Sequence, residues 1–248
     1  MSGANHSPLE QFRITPLVNL DLGGYDISIS NSTVILMGVV AAIIFFFTIG
    51  MRKSTLVPGR FQALIEALYE FIASMVKDNI GKEGIKYLPF VFSIFILVLG
   101  MNLAGMLPYS FTVSSHIATT FALALFCFLV VTLIGFAKHG LHYLELFVPH
   151  GVPKLSLLLI TPIEIISYLI RPFSLGIRLA VAMSAGHIVM KIFAGFIIAL
   201  GSIFFLFGIF PLAFAVALVG LELLVSFIQA FIFAILICIY LNDAVNMH

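Results

Sequence analysis

Charged side chains are missing from most of this chain, and that distribution constrains its fold more than any other feature. Residues 31–51 carry none, residues 87–137 carry none, and from Ile192 to Asn242 Glu222 stands alone. About 20 apolar residues cross a bilayer as a helix, so runs of this length are membrane spans. Of 248 residues, 62% are hydrophobic and 9% charged, against about 25% charged in a soluble domain. That leaves too little polar surface for a soluble globule and too much apolar surface for disorder. Lys plus Arg total 12 and Asp plus Glu 11, so the basic face of a nucleic-acid binder is absent. Cys127 and Cys238 both sit inside apolar runs, which does not fit a secreted disulfide scaffold. The class that remains is an all-α integral membrane protein, with length for a single membrane domain over residues 1–248.

Val34–Gly50 is the first expected span, and residues 88–136 form a transmembrane hairpin. Its arms are Leu88–Leu107 and Ile117–Phe136, turned by Pro108-Tyr109-Ser110. The N-terminus lacks the early basic region and immediate apolar core of a signal peptide. Arg52, Lys53 and Arg60 follow the first span and Lys138 follows the third. By the positive-inside rule both loops face the cytoplasm-like side, and the N-terminus faces the other. Residues 60–86 read as an amphipathic helix at the interface, with an apolar stripe at Phe61, Leu64, Ile65, Leu68, Phe71, Ile72 and Met75. An ordinary loop is the alternative there.

Residues 155–240 are apolar almost throughout and break around Gly201–Pro211. A first helix of roughly 40 residues is ~60 Å long at ~1.5 Å per residue, twice the ~30 Å hydrocarbon core. The apolar tract therefore implies two long, steeply tilted helices, the second of roughly 30 residues. Glu164, Arg171, Arg178, His187 and Lys191 fall within the first. Glu164, Arg171 and Arg178 recur every seven residues and share a face. Glu222, Ser226 and Gln229 share a face of the second. An arginine at mid-bilayer costs from ~3 to more than 10 kcal/mol, so intramembrane charge marks an ion or proton pathway. The structural alternatives are that Arg171 and Lys191 snorkel to an interface and that Glu164 pairs with Arg171.

Ser174-Leu175-Gly176-Ile177-Arg178-Leu179, followed by Met183-Ser184-Ala185-Gly186-His187, resembles the signature of subunit a of the F-type ATP synthase. Glu222, Gln229 and Ala230-Phe231-Ile232-Phe233 agree with it, as does Tyr240-Leu241-Asn242-Asp243-Ala244-Val245 before the final His248. So do Ser7-Pro8-Leu9-Glu10-Gln11-Phe12, Asn102-Leu103, Leu107-Pro108-Tyr109-Ser110-Phe111 and Ser115-His116. The order of His187 and Glu222 resembles mitochondrial and α-proteobacterial members. One departure stands out: family members usually carry Asn four residues after the arginine, and here that residue is Ala182.

The resemblance implies tilted helices packed along a ring of c subunits, a peripheral stalk containing subunit b, and an F1 sector reached through the stalks. It implies a multi-pass protein of a mitochondrial inner membrane or bacterial plasma membrane, with no cofactor and no nucleic acid. Arg178, permanently cationic, would favour the ionised form of a passing c-subunit carboxyl and block a direct proton leak. Arg suits this better than Lys, which can lose its charge when buried. Gln229 would orient Arg178. His187 and Glu222 would form the outer inlet, lined at lower rank by Asn102 and His116. Glu164 and Asp243 would serve the inner outlet, with Arg171 a secondary charge on the same helix. The chain has no Gly-x-x-x-x-Gly-Lys loop, so ATP chemistry would belong to partner subunits and this chain would be non-catalytic.

Other classes fit less well. A proton- or ion-coupled secondary transporter is the alternative, but paired internal repeats are not visible. A membrane cytochrome needs histidines paired across neighbouring spans, and only His116 and His187 border apolar helix. None of Asp21, Asp26, Asp78 or Asp243 is mid-span, and His-Glu-x-x-His is absent, which argues against an intramembrane protease.

Overall fold

The computed structural model describes residues 16–18, 21–22, 25–26, 29–52, 58–107, 112–140, 142–143, 154–203 and 205–246. The Ser7–Phe12 motif, Lys53, the Pro108-Tyr109-Ser110 turn and His248 lie outside them. Among the described residues there are six α-helices: α1 Asn31–Met51, α2 Arg60–Ile80, α3 Leu88–Gly105, α4 Ile117–His139, α5 Lys154–Ile203 and α6 Phe205–Val245. Five helical segments are long and apolar enough to cross a membrane, and α2 is not among them. The chain is a multi-pass helical membrane protein.

Three features differ from the sequence expectation. Ahead of α1, β1 (Pro16–Val18) pairs antiparallel with β4 (Ile29–Ser30) around an inner pair of β2 (Asp21–Leu22) and β3 (Tyr25–Asp26). Strands of two or three residues are too short for any alternation to read. The amphipathic helix ends at Ile80 rather than near residue 86. Gly81 takes φ +83 and its N–H caps the Lys77 carbonyl, a left-handed turn that glycine makes without strain. A 3-10 helix, Lys82–Tyr87, leads on into α3. The long helices hold 50 and 41 residues rather than about 40 and 30. Pro211 lies inside α6, and Pro162 and Pro172 inside α5, as bundled membrane helices tolerate.

The chain divides into two compact units. The first comprises Met1–Phe46, Leu97–His116 and Leu179–Ala230. Within it, Gly100 lets α3 approach α1: a Cβ there would lie 2.8 Å from Ile43 Cδ1. Gly201 and Gly208 bring the end of α5 and the start of α6 into backbone contact, where a Gly208 Cβ would sit 3.2 Å from the Gly201 Cα. Small residues at such crossings are how membrane helices gain dispersion contact. Phe193 stacks on Phe214 with centroids 5.9 Å apart.

The second unit comprises Phe47–Ile96, Ile117–Arg178 and Phe231–His248. Here α2 turns only part of its apolar stripe inward. Ile65, Ile72 and Met75 are buried with Val76 and Ile80, while Phe61, Leu64 and Phe71 stay exposed. Rings bind this unit together: Phe92 meets Phe47 and Tyr69, Phe71 meets Phe95 and Phe231, and Phe121 meets Phe173. Gly176 lets α5 lie against α4 backbone, where a Cβ would be 2.9 Å from the Phe121 Cα. Three polar ties fasten the ends: Lys138 to Glu83, His139 Nε2 to the Val245 carbonyl at 3.1 Å, and Asn246 donating to the Ile80 carbonyl at 3.1 Å.

Candidate functional site

In the first unit, α5 and α6 bring His187 and Glu222 together, with Nδ1 and Oε1 3.1 Å apart. Both are buried, 6% and 3% exposed. Gly186 makes room for the carboxylate: a Cβ there would lie 2.9 Å from Glu222 Oε1. One turn along α6, the Ser226 carbonyl accepts from Asn102 Nδ2 at 3.2 Å. The Ser226 hydroxyl faces the sulfurs of Met106 and Met183. Ser184 donates to the Ser115 carbonyl at 3.2 Å, tying α5 to the turn before His116. His116 lies outside the spans, and burial pushes its imidazole below the ordinary value, so it is neutral at pH 7.

This neighbourhood is polar and incompletely satisfied. Asn102 Oδ1, Ser114 Oγ, His187 Nε2 and both carboxylate oxygens of Glu222 are buried without a hydrogen-bond partner among the described residues. The His187–Glu222 contact has the distance of an ion pair but not the alignment of a hydrogen bond. Most buried polar atoms in proteins are paired, so these five call for partners beyond the described residues. Ser114 was not legible as a candidate, because nothing in the sequence distinguishes it from its neighbours Ser110 and Ser115.

The second unit holds a different arrangement. Arg171 Nη1 donates to Asp243 Oδ2 at 2.9 Å, with the side chains 22% and 33% exposed. The guanidinium sits over the rings of Tyr168 and Tyr240, 5.3 and 5.0 Å from their centroids. The Tyr168 hydroxyl shares hydrogen bonds with Thr132 at 2.7 Å and Tyr143 at 3.0 Å. Tyr143 packs flush on Gly135. Burial and its bond to Tyr168 hold the Tyr143 phenol well above its ordinary value, hence neutral. The two aromatic partners have a sequence signal: Tyr168 and Tyr240 each stand three residues before their charged group, on the same helix face.

The partner of Arg171 is thus Asp243, not Glu164; Glu164 lies partly exposed on α5 and forms no ion pair among the described residues. Arg178 is exposed, and its guanidinium makes one long hydrogen bond, 3.5 Å, to Ser174 Oγ. Gln229 is partly exposed on α6. Among the described residues no group of three or more His, Cys, Asp or Glu is placed to hold a metal ion.

Five membrane-length helices, with a buried His–carboxylate pair in one unit and a caged Arg–carboxylate pair in the other, define a polytopic membrane protein that keeps ionisable groups at depth. The family model for the ATP synthase A chain matches residues 33–242. ATP synthase subunit a of Rhodospirillum rubrum is 50% identical over 243 residues, covering 98% of this chain and 100% of that protein. The subunit a of Paramagnetospirillum magneticum is 49% identical over 245 residues, covering 98% and 99%. That of Pelagibacter ubique is 51% identical over 245 residues, covering 98% of each. The chain belongs to the ATP synthase subunit a family. Membership makes it the proton-channel subunit of the membrane-embedded Fo sector and sets aside the secondary transporter.

Proposed function

We propose that this chain is a non-catalytic stator that passes protons between two aqueous half-channels by way of carboxylates on a ring of c subunits. The observation that carries this reading is Arg178. It is exposed on a span where Ile166, Ile170, Phe173 and Ile177 are exposed as well, and it has no ion pair among the described residues. A guanidinium in hydrocarbon is costly enough to require an anion supplied by a partner. A ring carboxyl supplies it, loses its proton as it arrives, and leaves reprotonated. The fixed charge of Arg178 also repels a proton from moving straight between the half-channels.

On this reading His187 and Glu222 are the inlet relay. Their orphaned atoms, with those of Asn102 and Ser114, provide sites for a water chain, and His116 stands at its mouth. Neutral imidazole both gives and accepts a proton, which suits a relay. Glu164 and Asp243 serve the outlet, Arg171 pairs with Asp243, and Gln229 is a neutral hydrogen-bonding neighbour of the pathway. The rest of the assembly follows: residues 1–248 form one membrane domain with its N-terminus on the outer side, the long helices tilt along the c-ring, and subunit b and the peripheral stalk link the chain to F1.

The test is ATP-driven proton pumping into vesicles carrying the whole complex with Arg178→Ala, assembly being followed by co-purification of the ring. The expected outcome is an assembled complex without pumping. A variant that assembles and pumps removes Arg178 from the mechanism and turns the search to Arg171 or Lys191.

A further inference from the structure

Away from the proton-handling groups, the second unit has a cavity where the end of α1 meets the start of α2. Its volume is about 660 Å³, and it is lined by Ile49, Gly50, Arg52, Gly59, Arg60, Phe61 and Gln62. That is the size of a small-molecule site, roughly 300–1,000 Å³. We propose that it binds the phosphate headgroup of an anionic phospholipid.

Four observations converge on this ligand. Both guanidiniums are exposed and lack an ion-pair partner among the described residues, so the cavity presents two uncompensated positive charges. Arginine's planar fork matches phosphate oxygens. The amino end of α2 opens on the same space, with no acidic residue in its first turn, so the helix dipole adds to the attraction. Glu66, one turn beyond the cavity-lining Gln62, accepts from Gln62 Nε2 at 2.7 Å, which reduces the charge at the mouth but does not cancel it. Depth fits as well: α1 is apolar until Met51, and Arg52 follows directly, which places the cavity at the boundary where headgroups lie.

An amphiphile suits this geometry better than free phosphate. Ile49, Phe61 and Leu64 are exposed around the basic residues, and acyl chains would cover them while the headgroup meets the arginines. Free phosphate would use the charges and leave the apolar rim wet.

The experiment uses the whole purified complex, stripped of lipid and reloaded from micelles of phosphatidylcholine with added phosphatidylglycerol. Retained lipid is counted by mass spectrometry. Each basic residue at a membrane surface contributes about a factor of 5, so Arg52→Gln with Arg60→Gln should weaken phosphatidylglycerol binding roughly 30-fold. Lys77→Gln, also on α2, should leave it unchanged. Equal retention by the double variant and the unaltered complex overturns the proposal. So does full displacement of phosphatidylglycerol by millimolar inorganic phosphate, which would identify a free-phosphate site. If the double variant does not assemble, photoreactive phosphatidylglycerol on the unaltered complex decides: cross-links to residues 49–52 or 59–62 support the site, and cross-links confined to other segments overturn it.

Discussion

Two acidic residues on α6 meet opposite treatment. In the first unit Glu222 is buried beside His187, with neither oxygen hydrogen-bonded among the described residues. In the second, Asp243 holds a bidentate-capable guanidinium that is itself flanked by two tyrosine rings, one of them anchored by Thr132 and Tyr143. A group that must accept and release protons cannot have its lone pairs committed to the protein. Asp243, which the proposed reading assigns to the outlet, commits one oxygen, Oδ2, to Arg171 and keeps a third of its side chain exposed. The contrast separates a carboxylate with both oxygens open from one with an oxygen held, on a single helix and with similar chemistry.

Predictions follow by size. Glu222→Gln should lower passive proton conduction through F1-stripped vesicles about 100-fold or more, the scale of a lost proton-transfer group. Asp243→Asn should lower it less, and equal losses at both positions would break the contrast. Stability should reverse the order. Asp243→Asn leaves the Arg171 guanidinium half-buried and unpaired, costing about 2 kcal/mol, below the ~3–5 of a fully buried pair because a third of the Asp243 side chain is exposed. Glu222→Gln should leave thermal inactivation of the complex unchanged. Gly186→Ala pushes a methyl onto Glu222 Oε1, and the displaced carboxylate should cost about tenfold in conduction with assembly intact. Tyr168→Phe keeps both rings and removes two hydrogen bonds, for about 1 kcal/mol in thermal inactivation and little change in conduction.

The smallest effect is a pH dependence at His116. Burial lowers its value in the fold, so the unfolded chain binds a proton first as pH falls. The stability it confers is full above the ordinary imidazole value of about 6.5 and is lost as pH drops through the lower folded value. His116→Gln should flatten that acid limb in a thermal-inactivation series from pH 7 to 5; an unchanged limb would assign the loss to other groups.

The membrane helices were legible because exclusion of charge over 20 residues is a strong, local signal that the bilayer itself imposes. Their ends were not, because ends are decided by single backbone events. Gly81 stops α2 through a left-handed turn, whereas α5 and α6 part inside the expected Gly201–Pro211 stretch, with Pro211 itself absorbed within α6. For the site, periodicity placed Glu164, Arg171 and Arg178 on one face but could not choose a partner for Arg171. The choice fell on Asp243, 72 residues away, a separation that no local pattern spans. The β1–β4 and β2–β3 pairs escaped for the same reason that short strands generally do: two residues carry no period.

The orphaned atoms around Glu222 also bear on how this protein could be made to endure heat. The ordinary route to a tougher protein gives each buried polar atom a partner or replaces it with well-packed hydrocarbon. Applied around Asn102, Ser114, His187 and Glu222, that route would fill the sites that the proposed inlet keeps for water. Thermal adaptation is left to places that carry none of the proposed path, such as the glycine-fitted α4–α5 crossing and the ties at the ends of α2, α4 and α6, which can be reinforced without closing it.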